Sequence, residues 1–437
     1  MIVLNILLFI ALVIAVFGAK GDFLRPGVIV SGVMFAASIA ATYLCIVWSF
    51  ELKIETLLII VFSVAVFIFI DFIISRFFKE KRRREILYPI NIPTVVLLLV
   101  CLFCGIAAIW HYMYLVRDFG FAGSLTTMIS TYRKYLVWGV LDSSMPSLLS
   151  RMERVSQNFS FIFLYIYILN IVSTGKFKKN FKYLLPVIIY VFDSMLWGAR
   201  GYIVYIIFAA IVYWYIIKQK SIGWKQKEGI KFIKSSSKYI VVGAFGFIAL
   251  GTLFGRSTDS NIIYRFAKYL GGGIALFNDY LIENTIRSPY FGASTFTSWN
   301  NFMTRRFGRV DLSQYFQFEF RAHDGISWGN VYTALRRYYQ DFGFLGTIVM
   351  VAILSVIFGI LYSYVKNRPL HQGVNISLLY YGILVRALFL FFFDDEFFND
   401  FITPSTIVYI VELLICLFVI GQIRLKRHVK YHRLKGE

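Results

Sequence analysis

The residues with the clearest chemical potential in this sequence lie between positions 319 and 343. The stretch "EFRAHDGISWGN" (319–330) sets His323 beside Asp324, and "NVYTALRRYYQDFG" (330–343) follows with two adjacent arginines, Arg336 and Arg337. An imidazole or a carboxylate held against a hydroxyl can take its proton and make it a nucleophile. His323 and Asp324 both suit that task, with Asp279 and Glu319 the next carboxylates in line; a merely solvated loop histidine is the competing reading. The glycines at 325 and 329 suit a tight turn. Asn330, Trp328, Tyr332, Tyr338 and Tyr339 surround these groups with amide and ring surfaces, and Asp341 reads as the N-cap of the apolar run that follows.

Arginine dominates the same region. Between 256 and 342 stand Arg256, Arg265, Arg287, Arg305, Arg306, Arg309, Arg321, Arg336 and Arg337, against a single lysine, Lys268. The planar guanidinium fork binds phosphate or carboxylate bidentately and stays charged when desolvated, so the bias points to an anionic ligand. Each arginine taken alone could equally meet lipid headgroups or the carboxylates of Asp259, Asp311 and Glu319. In "FDSMLWGARGY" Arg200 falls between two apolar runs, with Asp193 two helical turns back on the same face. It either grips a phosphate at the membrane surface or pairs with Asp193. Arg386 lies inside a later apolar run, where charge is expensive and usually functional; an ion pair with Glu412 is the structural alternative. The glycines of "YLGGGIALFNDYL" (269–281) either open a short helix with anion-binding N–H groups or form a hinge.

The elements that must position these groups are membrane helices. Of 437 residues, 58% are hydrophobic and 19% aromatic, the mean hydropathy is +0.68, and apolar runs of about 20 residues recur along the chain. The runs lack the alternation of barrel strands, so the expected fold is an all-α polytopic integral membrane protein with about eleven helices, in a range of about ten to thirteen. The spans fall near 2–19, 25–48, 56–74, 93–115, 158–174, 183–199, 201–217, 239–255, 343–365, 374–393 and 405–423. The first run has no basic residues before it and reads as a retained helix. Basic loops at 76–85, 175–182, 218–238 and 366–368 and the tail 424–435 belong in the cytoplasm, which puts the acidic "DDEFFND" (394–400) outside. The net charge of +21 is then mainly a topology signal and implies no nucleic-acid partner. Three regions result: helices within 1–255 with an outer loop at 117–157, a large outer loop at 256–342 carrying amphipathic helices on the membrane surface, and C-terminal helices with a basic tail at 343–437. Cys45, Cys101, Cys104 and Cys416 all fall inside spans and read as packing residues. No metal-ligand or nucleotide motif is present, so no metal or other cofactor is expected.

"NVYTALRRYYQDFGFLG" (330–346), preceded by "YLGGGIALFNDYL" and "SPYFGASTF" (288–296), resembles the end of the outer loop in Wzy-type oligosaccharide repeat unit polymerases of bacterial capsule and exopolysaccharide pathways. "GARG" (198–201) resembles a turn of these enzymes and of the related O-antigen ligases. The resemblance extends to the plan of helices around one dominant outer loop. It implies a metal-free membrane glycosyltransferase of the all-helical class, at the outer face of the bacterial cytoplasmic membrane. The partners it implies are undecaprenyl-pyrophosphate-linked oligosaccharides, membrane lipids and other polysaccharide-assembly proteins such as a chain-length regulator and a flippase. In that chemistry His323 or Asp324 would be the base. Arg200, Arg256, Arg336, Arg337 and Arg386 would meet the pyrophosphate, and Asn330, Tyr332 and Trp328 the sugar. The alternatives are an O-antigen-ligase-like transferase and a transporter of lipid-linked oligosaccharide; a transporter would more often show paired repeats and broken helices.

Overall fold

Runs of Leu, Ile, Val and Phe form the helices, most of them without a side-chain hydrogen bond at the N-cap. The computed structural model describes residues 1–78, 84–120, 124–138, 145–198, 201–225, 229–231, 261–282, 288–308, 318–370 and 372–422. The sequence-predicted span 239–255, the basic tail, Arg200, Arg256, Arg287 and Arg309 lie outside the described residues. The N-terminal helices are α1 (Ile2–Gly18), α2 (Pro26–Val47), α3 (Ile54–Phe77) and α4 (Thr94–Phe119). Pro26 opens α2 at a position whose N–H would have no helical partner anyway. Next come α5 (Leu125–Trp138), α6 (Ser147–Thr174), the one-turn α7 (Phe177–Asn180), α8 (Leu185–Leu196) and α9 (Gly201–Ile222). Gly175, with φ 68°, ends α6 in the left-handed conformation that glycine adopts freely.

The C-terminal half holds α10 (Ile262–Ile282), α11 (Thr297–Phe307), the hairpin β1 (Arg321–His323) and β2 (Ile326–Gly329), and α12 (Ala334–Asn367). Then follow α13 (Ile376–Leu384), α14 (Arg386–Phe389) and α15 (Pro404–Val419). Among the described residues, six helices are long and apolar enough to cross a membrane: α2, α3, α4, α6, α9 and α12. The apolar helices α1, α13–α14 and α15 are shorter. Phe69, Leu99, Ile109, Ile407 and Val419 are exposed on these helices, as an all-helical membrane protein requires of its lipid-facing side.

The structure redraws several predicted elements. The helix expected from 158 begins at Ser147, because the polar side chains of its first turns find partners: Glu153 meets His111, and Arg154 meets Glu412 at 3.2 Å. The span expected at 374–393 is broken after Leu384 and ends in turns. The region 256–342 is not only surface loop: the C-terminal half of α10 is buried, packed against α2. The triple glycine sits in the middle of α10, so it neither opens a helix nor forms a hinge. A Cβ on Gly271 would lie 2.3 Å from the backbone nitrogen of Ala41, and one on Gly273 would lie 2.6 Å from the carbonyl oxygen of Phe392. Close backbone approach is what these glycines permit. A helical segment does start just after "DFG" (341–343), at the kink of α12 on the non-helical Gly343 (φ 66°, ψ −165°). Asp341 does not cap it, because its carboxylate accepts the N–H groups of Ser294 and Thr295.

Polar contacts collect at the two ends of the bundle. At one end Lys366 reaches Asp22 at 2.7 Å, Tyr215 and Tyr362 donate to the same carboxylate, and Lys220 reaches Glu85 and the carbonyls of Lys366 and Arg368. These groups come from the segments that the charge pattern assigns to a single membrane side. At the opposite ends of α3, α9 and α12, Tyr339 donates to Glu55, Tyr205 to Glu396 and Arg337 to Asp394. The chemistry-bearing residues gather here.

Candidate functional site

The β-hairpin is specified by its turn. Asp324 and Gly325 are its two loop residues, with φ of 50° and 75°, the left-handed pair that a tight hairpin prefers and that Asp-Gly supplies. Asp324 is exposed at the tip, so the turn itself accounts for its presence. Residues two apart on a strand share a face, which brings Arg321 and His323 to one carboxylate: Asp279 Oδ2 lies 2.7 Å from Arg321 Nη1 and 2.9 Å from His323 Nε2. Asp279 is fixed by its neighbour. Asn278 accepts from the Lys53 N–H and the Thr56 hydroxyl, each at 2.8 Å, and donates to the Glu51 carbonyl, locking α10 to the start of α3.

Trp328 backs His323 on the same face of the hairpin, since His323 pairs with Ile326 and Trp328 lies two residues further along that strand. Its ring stacks on Trp48 with centroids 4.6 Å apart and meets the His323 ring at 4.5 Å. Lys268 donates to the Ser327 carbonyl at 2.5 Å. Trp328, Tyr332 and Tyr338 are buried, so their rings are committed to protein contacts rather than offered as open platforms. Tyr332 has a polar role instead: its hydroxyl accepts from Arg321 Nε at 3.0 Å and donates to the Glu319 carbonyl. Asn330 occupies the bend between β2 and α12.

The two adjacent arginines differ. Arg337 is fully engaged: it forks onto Asp394 at 2.6 and 2.8 Å, and its third nitrogen donates to the Ser294 carbonyl at 2.8 Å. Asp341 secures the same loop by accepting the N–H of Ser294 and of Thr295, and the Ser288 hydroxyl. Arg336 is only 2% exposed, yet just one of its nitrogens, Nη2, is hydrogen-bonded to a carboxylate, that of Glu319, at 3.1 Å. Its guanidinium lies 3.1 Å from the centroid of the Tyr280 ring, and Nε and Nη1 make no hydrogen bond. Burial works against the charge on Glu319, but Arg336, a backbone N–H and Arg321 outweigh it and hold this carboxyl below the usual range. Burial likewise opposes the charge on Arg321, and its bonds to Asp279 and Glu319 raise its pKa despite that.

The structure therefore joins His323, Arg321, Arg336, Asp279, Glu319 and Tyr332 in one network and leaves Asp324 at its rim. Arg386 stands apart, buried between the rings of Tyr205 and Phe401 and paired with Glu396 and Asp400, not with Glu412. Glu412 pairs with Arg154 instead. Asp394, which anchors Arg337, carried no sequence signal beyond its place in an acidic run. No family model, curated protein or solved structure matches this chain.

Proposed function

We propose that the protein is a polysaccharide polymerase of the bacterial cytoplasmic membrane, joining undecaprenyl-pyrophosphate-linked repeat units at the outer face. The observation that carries this reading is Arg336: a buried arginine at the start of a membrane helix, stacked on the Tyr280 ring, with two donor nitrogens that meet no hydrogen-bond acceptor. Buried N–H donors without acceptors are costly unless a ligand completes them, and a guanidinium completes best with phosphate or carboxylate. A lipid pyrophosphate presents such oxygens at the mouth of a membrane helix.

The neighbouring groups supply the rest of the transfer. If the Nε2–H of His323 donates to Asp279, its Nδ1 is free to take the proton of an acceptor sugar hydroxyl. That oxygen attacks C1 of the donor sugar. The bond from C1 to pyrophosphate breaks, and the electron pair leaves with undecaprenyl pyrophosphate. Charge growing on the leaving group is met by Arg336, fixed in advance by Glu319 and Tyr280. Arg200 and Arg256 belong to the proposed pyrophosphate set by sequence, and Asp324 remains a rim carboxylate.

Deleting the chain in its source cells should leave single lipid-linked repeat units, and the purified protein should extend these into ladders on a gel. Arg336→Lys keeps the charge and loses the fork, and should cut extension by about 10²- to 10³-fold at an unchanged protein level. Full ladders from Arg336→Lys and Arg336→Ala would remove the arginine from the site. Transfer only to an acceptor other than a repeat unit would make the protein a ligase. Unpolymerised material confined to the inner leaflet after deletion would make it a transporter.

A further inference from the structure

A second polar cluster lies on other helices. His111 of α4, Glu153 of α6 and Asp193 of α8 are all buried, at 0%, 6% and 2% exposure, and can offer one ligand atom each within 4.8 Å of one another. His111 Nδ1 lies 2.8 Å from Glu153 Oε1 and 3.0 Å from Asp193 Oδ1. Separations near 3 Å are those between neighbouring ligand atoms around one small dication with bonds of about 2.0–2.2 Å. We infer that His111, Glu153 and Asp193 form a binding site for one divalent transition-metal ion.

The unsatisfied atoms favour a metal over a proton. Nδ1 carries at most one hydrogen and faces two carboxylates, so it can satisfy only one of them. With the Nδ1 hydrogen on Asp193 Oδ1, Glu153 Oε1, though 2.8 Å from the same nitrogen, and Asp193 Oδ2 accept no hydrogen bond. Among the described residues, what the cluster lacks is therefore positive charge on the carboxylate side. An imidazolium would neutralise one of the two buried carboxylates, and among the described residues no lysine or arginine pairs with either. A dication with a neutral imidazole neutralises both. The Nε2 of His111 makes no hydrogen bond and would be protonated with either occupant, so it does not discriminate.

The surroundings hold the ligands in place. Trp197 donates to Glu153 Oε2 at 2.5 Å, which fixes that carboxylate from outside the cluster, as an outer-shell partner of a metal ligand does. The Trp197 ring lies 5.1 Å from the imidazole, and Tyr132 of α5 closes over both. One imidazole nitrogen with two carboxylates suits zinc, iron or manganese better than magnesium or calcium, which favour all-oxygen sites. Three protein ligands leave room for the free Asp193 Oδ2 or a water to complete the set.

The test uses the full-length protein in detergent with any affinity tag removed. Zn²⁺ should bind at about one equivalent per chain and raise the unfolding temperature by several degrees. Glu153→Gln and Asp193→Asn should each abolish binding and the shift. Co²⁺ gives a direct readout on the wild type that does not depend on any variant folding: a visible absorption band that Zn²⁺ displaces. Wild-type protein that binds neither ion at micromolar concentration, or that prefers Mg²⁺ or Ca²⁺ to Zn²⁺, would overturn the site.

Discussion

The hairpin network and the His111 cluster use the same residue types and leave opposite things unsatisfied. Around Arg336 the surplus is of donors, two guanidinium nitrogens with no acceptor; around His111 it is of acceptors, two carboxylate oxygens against the single donor Nε2. The hairpin network also opens to solvent, with the His323 side chain 37% exposed, whereas the His111 cluster is closed under Trp197 and Tyr132. Donor-rich and open suits a large anionic substrate. Acceptor-rich and closed suits a small cation that remains in place.

The comparison breaks if the two histidines behave alike. His323→Ala should lower chain extension by about 10²- to 10⁴-fold, the contribution of a positioned base, and leave thermal unfolding nearly unchanged. His111→Ala should do the reverse. With its partner removed, a pair of buried carboxylates stands uncompensated, and unfolding stability should drop by about 3–5 kcal/mol in denaturant titrations. Equal effects of both substitutions on stability would show that the hairpin is as structural as the bundle.

Smaller substitutions sharpen the boundary between site and scaffold. Gly271→Ala places a Cβ against the Ala41 backbone, which cannot swing aside as a side chain can, and should cost about 1–3 kcal/mol. Chain extension should fall with it, because α10 carries Asp279. Asp395 tests the neighbouring acidic turn. Burial pushes its carboxyl up to about 7 from an ordinary 3.8, despite the N–H groups of Phe397 and Phe398 and the charge of Arg337. Between those values the folded protein holds a proton that the unfolded chain has released, so this contribution is full below about pH 4 and is lost as pH rises through 7. Asp395→Asn should lack that loss, and its stability relative to wild type should grow from pH 4 to 8 in unfolding scans. The smallest effect belongs to Arg154→Ala, since the pair with Glu412 is partly exposed and worth about 1 kcal/mol or less.

What could be read from the sequence follows from distance along the chain. Membrane helices are local runs, and most were visible as such. His323, Arg336 and Glu319 lie within a short segment, so their proximity was legible. Asp279 was visible as a candidate carboxylate, but its place as the anchor of that segment was not, because it reaches the hairpin only through the packing of α10 on α2. The triple glycine was visible and misread, since the backbone that approaches it comes from residues 40 and 41. The ligands at 111, 153 and 193 stand on three helices with no motif spacing, and only the fold brings them together. Asp324 carries two signals at once: an acid beside a histidine suggests catalysis, while Asp-Gly at that position also has a geometric task in the turn.

Gly343 separates the buried, arginine-bearing start of α12 from its long apolar shaft. A straight 34-residue helix would carry every change of its tilt to both ends. With a joint at Gly343, the shaft can lean to match a thinner or thicker bilayer, while Glu319 and Asp394 keep Arg336 and Arg337 where they are. The end that holds Arg336 and Arg337 is in this way insulated from the lipid composition around the rest of the protein.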